Sequence, residues 1–176
     1  MGINCHEFLE FVIQPTLQQL GVDSPAAEQL LLATACHQSE MGHHLQRSEG
    51  IGIYGITPAM HQSVWDDYLA QDCDMASLVR GMASQHEFPK SPHSELATNL
   101  RYATAIAWMI YLQRGLELDD HQHRTTEEMA EAWQKGFMDR PISVQEREQF
   151  CRGAALLHPA SRPAPGKRAG GKFIAA

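Results

Sequence analysis

A chain of 176 residues, 43% hydrophobic and 20% charged, is long enough to bury one proper core and too short for two comfortable domains. Its formal net charge of −7 argues against a general nucleic-acid binder, because phosphate repulsion would oppose contact over most of such a surface. The longest apolar run, "YATAIAWMIYL" at residues 102–112, falls short of membrane-spanning length, so no membrane partner is expected.

The chain opens with "MGINCHEFLEFVIQ", which lacks a basic start and carries Glu7 and Glu10 in its apolar stretch. No secretory signal is expected. Phe8, Phe11, Val12, Leu17 and Leu20 recur at three- and four-residue steps, which predicts a helix over 4–20 with Pro15 as a break or fresh start. A stronger helix follows in "DSPAAEQLLLATACHQ", residues 23–38. Ser24 can cap it, Pro25 suits its first position, and Gly42 can end it. Ala27, Leu31, Thr34, Ala35 and Gln38 then share one face.

"RSEGIGIYGITP", residues 47–58, is too rich in glycine for helix and predicts a short hairpin or compact loop. Thr57-Pro58 restarts a helix through about Ala70, carrying Val64, Trp65, Tyr68 and Leu69. A shorter helix over 75–82 and a linker, "HEFPKSPHS", come next. "SELATNLRYATAIAWMIYLQRG", residues 94–115, is apolar on nearly every side; one long helix through the middle of the core is predicted, with Gly115 as its stop. Two capping boxes, Thr125 with Glu128 and Ser143 with Glu146, announce the last helices. Their bodies carry Met129, Ala132, Trp133 and Phe137, then Phe150, Ala154 and Leu157. These elements describe an all-α domain over 1–158 with a small glycine-rich irregular or hairpin insertion, followed by a tail over 159–176.

Cys5, Cys36, Cys73 and Cys151 form no CxxC pair and read as small hydrophobes in a reducing compartment. His43-His44 and His121-x-His123 lack the cysteine or HExxH context of a specific site, so neither a metal nor a cofactor is expected. The tail carries Arg162, Lys167, Arg168 and Lys172 and no acid, which leaves the body more acidic than the whole. Its proline, glycine and basic residues read either as a disordered, solubilising end or as a docking arm, with Phe173-Ile174 filling a partner's pocket.

Taken in order, "TACHQSEMG", "GIYGITPAMHQSVWDDYL", "NLRYATAIAWMIYL" and "AEAWQKGFMD" resemble the phage-encoded branch of the soluble lytic transglycosylase and goose-type lysozyme superfamily. The resemblance runs from about Pro15 to Leu157 and rests on the ordered set, not on any one motif. It implies a lysozyme-like fold. It also sets Gln38 where the family carries its catalytic glutamate and Ser39 on the serine beside it. Gly55 falls where the family's glutamine lines the sugar cleft. Trp133-Gln134 and Phe137-Met138-Asp139 stand where the family has Trp-Lys and Tyr-Asn-Thr. Packing residues persist in each motif while the polar working residues are replaced.

Glycoside cleavage needs a carboxylic acid that protonates the leaving oxygen, and an amide has no such proton to give. Loss of a positioned acid costs on the order of 10²–10⁴ in rate. Glu40 is the fallback acid, although two positions along a helix is about 200°, nearly the opposite face. Glu49, in the loop, is a weaker fallback. Tyr54 is the best candidate to stack on sugar in a cleft. Tyr102 and Tyr111 are candidates for the same role or for the core, and Trp65 and Trp133 are assigned to packing.

The expected function is a phage-encoded protein that has lost catalysis and serves as a virion component or adaptor, its tail engaging other phage proteins. Two alternatives stand: a peptidoglycan-cleaving enzyme using a displaced acid such as Glu40, and a non-catalytic glycan-binding or regulatory protein that contacts peptidoglycan strands. The expected location is the virion or the host cytoplasm.

Overall fold

In the computed structural model, which describes residues 2–117, 125–138 and 140–157, the chain is mostly helical. Helix α1 (Cys5–Phe8) widens into a π-helical turn at Leu9–Ile13 and continues as α2 (Gln14–Gln19). Pro15 does not break this helix. It has no N–H to donate to Phe11, and the wider turn ahead of it accommodates the missing bond. That extra residue turns the apolar face: Ile13 is buried, whereas Phe11, expected inside, is 66% exposed.

Helix α3 (Pro25–Ser39) starts as its sequence dictates, with the Ser24 side chain accepting from the Ala27 N–H and Pro25 in the first turn. Ala27, Leu31, Thr34 and Ala35 are all fully buried. The helix closes in a left-handed turn, with positive φ at Glu40, Met41 and Gly42 in succession. Ser39 braces that turn: its hydroxyl donates to the Ala35 carbonyl and accepts from the Gly42 N–H at 2.8 Å.

The glycine-rich stretch forms a two-stranded antiparallel hairpin, β1 (Gln46–Arg47) with β2 (Gly50–Ile51), extended by a bridge from Ile51 to Ile56. Its glycines are steric requirements. A Cβ on Gly52 would lie 1.8 Å from the Leu96 carbonyl oxygen, and one on Gly50 would lie 2.6 Å from the Gly55 carbonyl oxygen. Gly52 and Gly55 both take positive φ.

Thr57 then caps α4 (Pro58–Ser63), which passes through a second π-helical turn at Val64–Tyr68 and a 3₁₀ turn at Leu69–Gln71. Helix α5 (Cys73–Met82) leads to the linker. The stretch expected as one long helix is two, α6 (Glu95–Thr98) and α7 (Leu100–Gln113), separated by an extended Asn99. Asn99 accepts from the Tyr102 N–H to cap α7, and its amide donates to Met82 O and Glu95 Oε2. The side chain thus offers the backbone a better-satisfied break than a continuous helix would.

Every residue of α7 from Tyr102 to Tyr111 is buried. Helix α8 (Thr126–Gly136) begins with the reciprocal Thr125–Glu128 box and packs tightly on α7, since a Cβ on Gly136 would meet the Tyr111 ring at 2.6 Å. Helix α9 (Val144–Leu157) lies against α3 and α8, and Phe150 stacks on Trp133 with ring centroids 4.6 Å apart.

Gly52→Ala should lower unfolding stability by about 3 kcal/mol or more, since the methyl group displaces the Leu96 backbone and φ is disfavoured as well. Gly81→Ala, in open space on α5, should raise it by about 0.5–1 kcal/mol. Urea unfolding of the two variants beside the natural chain checks both signs.

Candidate functional site

A groove of about 290 Å³ opens where the C-terminal end of α3 meets the hairpin and the residues after α8. Gln38 enters it from α3, Glu49 and Gly50 from the hairpin, Gly55 from the loop that follows, and Phe137 and Met138 from beyond α8. Gln38 and Met138, up to about 330 Å apart in an extended chain by the usual reach per residue, thus meet at one place. A Cβ on Gly55 would sit 3.5 Å from the Gln38 amide oxygen, so the missing side chain leaves the two residues face to face. On the other side the Gln38 amide nitrogen donates to the Met138 sulfur at 3.4 Å.

The supports behind Gln38 are polar and closed. One turn earlier Thr34 donates to the Leu30 carbonyl and meets the Tyr111 hydroxyl at 2.7 Å, so the tyrosine is the donor in that pair. His37 turns away from the groove, its ring edge-on to Trp133 at 4.6 Å, and burial pushes its pKa down. At the rim Arg140 pairs with Glu146, and this bond holds the Glu146 carboxyl down at about 2. The Ser143–Glu146 capping box positions that glutamate.

Several expected residues lie elsewhere. Glu40 sits in the left-handed turn past the end of α3, 59% exposed, and pairs with His44 at 3.9 Å and Arg47 at 3.7 Å. It is not among the groove's lining residues: the helix has ended before it, and the left-handed turn sets its carboxylate beside His44 and Arg47 instead. Ser39 is buried in its bracing role and faces no cleft. Tyr54, expected in the cleft, is fully buried; it rests near Phe8 and donates to Thr104, whose own hydrogen goes to the Leu100 carbonyl. Tyr102 and Tyr111 are fully buried too. Burial raises the pKa of all three hydroxyls well beyond the ordinary phenol range. The reason is local: each aromatic finds a hydroxyl or imidazole inside the core, so none needs water. Asp139 and the tail residues Arg162, Lys167, Arg168, Lys172, Phe173 and Ile174 lie outside the described residues.

Glu49 is the one fallback acid that reaches the groove, among its lining residues on the exposed hairpin turn beside Ser48, whose φ is positive. Arg47 and Arg140 line the same groove, so the site carries charge of both signs around a neutral amide.

A second polar cluster went unnoticed in the sequence. His61, on α4, is almost fully buried, with Nε2 2.6 Å from the Tyr102 hydroxyl and Nδ1 2.9 Å from Nδ1 of His93. The Trp65 indole donates to the same Tyr102 oxygen at 2.9 Å. Burial, and to a lesser degree the neighbouring His93, lower the His61 pKa to about 4. The histidines stand 32 positions apart in the sequence, so no spacing motif could have flagged them. Glu95 is also buried, with Oε2 accepting from Ser84 N and Asn99 Nδ2. Among the described residues, no group of three or more His, Cys, Asp or Glu side chains is arranged to hold a metal ion. Nor is any helix there long and apolar enough to cross a membrane.

No family model, curated protein or solved structure matches this chain.

The His61 geometry sets a pH dependence. The unfolded chain binds this proton near pH 6.5 and the folded chain only near pH 4, so the unfolded state holds more protons between those values. Stability should therefore fall as pH drops through that window, by on the order of 3 kcal/mol from His61, with His37 acting in the same direction. Urea unfolding at pH 7 and pH 4.5 measures the slope, and His61→Gln should flatten it.

Proposed function

We propose that this chain is a phage-encoded protein of lysozyme-like fold that has lost glycoside cleavage and works as a virion component or adaptor. The observation that supports this reading most is the state of position 38. A carboxamide occupies the acid's place, bonded to a thioether on one side and facing a bare glycine on the other. An amide gives up no proton to a leaving oxygen, and neither Met138 nor Gly55 supplies one. Adaptor function fits an acidic body joined to a basic, proline- and glycine-rich tail, which would engage other phage proteins.

A second reading, an active peptidoglycan-cleaving enzyme, draws support from Glu49, because it brings a carboxylate to the groove. Against it stands its exposure on the hairpin turn. The proton donor of a glycosidase normally stands in an apolar pocket that shields it from water, and Glu49 stands in solvent.

Release of soluble fragments from purified peptidoglycan sacculi separates these readings. The natural chain and Glu49→Gln should both match the blank. Gln38→Glu should raise release by on the order of 10², the lower end of what a positioned acid contributes, because Gly55 and Met138 give it little support. Release by the natural chain that disappears in Glu49→Gln would overturn the proposal.

A further inference from the structure

On the far side of α4 from the groove, a separate cavity of about 290 Å³ is lined by His61, Gln62, Trp65, Phe88, Pro92 and His93. Trp65 and Phe88 meet edge to face with centroids 5.7 Å apart, so the walls offer flat apolar surface. The polar groups are an amide and two imidazoles. Their hydrogen bonds have only one consistent direction.

An indole N–H can only donate, so the Tyr102 oxygen accepts from Trp65. The tyrosine's own hydrogen then goes to His61 Nε2. Neutral His61 therefore carries its hydrogen on Nδ1 and donates it to His93 Nδ1. His93, neutral in turn, keeps its hydrogen on Nε2. His93 lines the cavity, and its remaining nitrogen is then a donor.

An anionic occupant fits poorly. Protonating His93 would place a hydrogen on its Nδ1, reverse the bond to His61, and force His61 Nε2–H onto a tyrosine oxygen that already accepts from Trp65. The tyrosine hydrogen would then lose its acceptor in the core. The other charges around the pair do not favour an anion in the cavity either. Asp66 bonds the Gln62 amide at the rim, and Glu95 lies buried on α6. Arg80 spends its guanidinium on Phe88, 4.4 Å from the ring centroid, and is not among the lining residues.

We propose that this cavity binds a small, neutral, flat molecule bearing an oxygen acceptor, an aryl ketone or amide, with its ring against Trp65 and Phe88 and its oxygen accepting from His93 Nε2–H. The site is independent of the groove at Gln38, so it stands or falls apart from the function proposed above.

The Trp65 indole resonance in ¹H–¹⁵N spectra, assigned through Trp65→Phe, gives a local readout, because this indole is hydrogen-bonded whereas those of Trp108 and Trp133 are buried with no hydrogen-bond partner among the described residues. Titration of the natural chain with acetophenone should move that resonance saturably. Ethylbenzene, which keeps the ring and two-carbon chain and lacks the oxygen, should bind about threefold or more weakly, as expected for one lost hydrogen bond. Benzoate should not compete. His93→Gln can accept from His61 and still donate, so it should keep the preference for the ketone, and His93→Leu should lose it. Equal affinity for acetophenone and ethylbenzene, tighter binding of benzoate, or no saturable shift with any probe would overturn the proposal.

Discussion

The arrangement depends on a contact between two stretches of main chain. Gly52 approaches the Leu96 carbonyl so closely that no side chain fits between them, and Gly50 approaches Gly55 in the same way. Loops usually stand off from the body of a protein because their polar backbone needs water or partners. Here the loop is drawn against α6 and its groups are satisfied internally, by Gly52 N–H to Leu45 O and by the paired bonds between Ile51 and Ile56. Pinning the loop fixes Gly55 opposite Gln38 and starts α4 at Thr57. The groove is a by-product of that contact as much as of the helices around it.

From that start α4 serves two cavities with consecutive residues. Met60 lines the groove at Gln38, and His61 lines the pocket toward the linker. Adjacent positions on a helix point about 100° apart, which is enough to divide them between faces. The π-helical turn that follows places Trp65 in the second cavity, where its indole reaches Tyr102 on α7. The core between the two sites is polar at chosen points only. Thr34 and Thr104 each return a hydrogen to the carbonyl four residues earlier, which leaves their oxygens to receive tyrosine hydrogens from a distant element.

What could be read in advance was whatever is coded over a few residues. Ser24 with Pro25, Thr57 with Pro58, and the two capping boxes started helices where expected, because a cap is satisfied within one turn. The glycine spacing left a hairpin or a compact loop open, and the hairpin is what forms. What could not be read depends on contacts across the chain. The break at Asn99 is decided by Met82 and Glu95, and the wide turn at Leu9–Ile13 exchanged Phe11 for Ile13 inside. Tyr54 was expected in the cleft as a ring to stack on sugar, as the resemblance implies. The direction of its side chain was set by Thr104, fifty positions away.

Those tyrosines have an optical consequence. Of the four in the chain, Tyr54, Tyr102 and Tyr111 are sealed in the core with their hydroxyls engaged, and only Tyr68 has appreciable contact with solvent. In strong alkali a sealed phenol gains nothing by ionising until the core opens around it. The ultraviolet band of phenolate would therefore rise in two stages, a small early one from the surface ring and a larger one that coincides with loss of the helices.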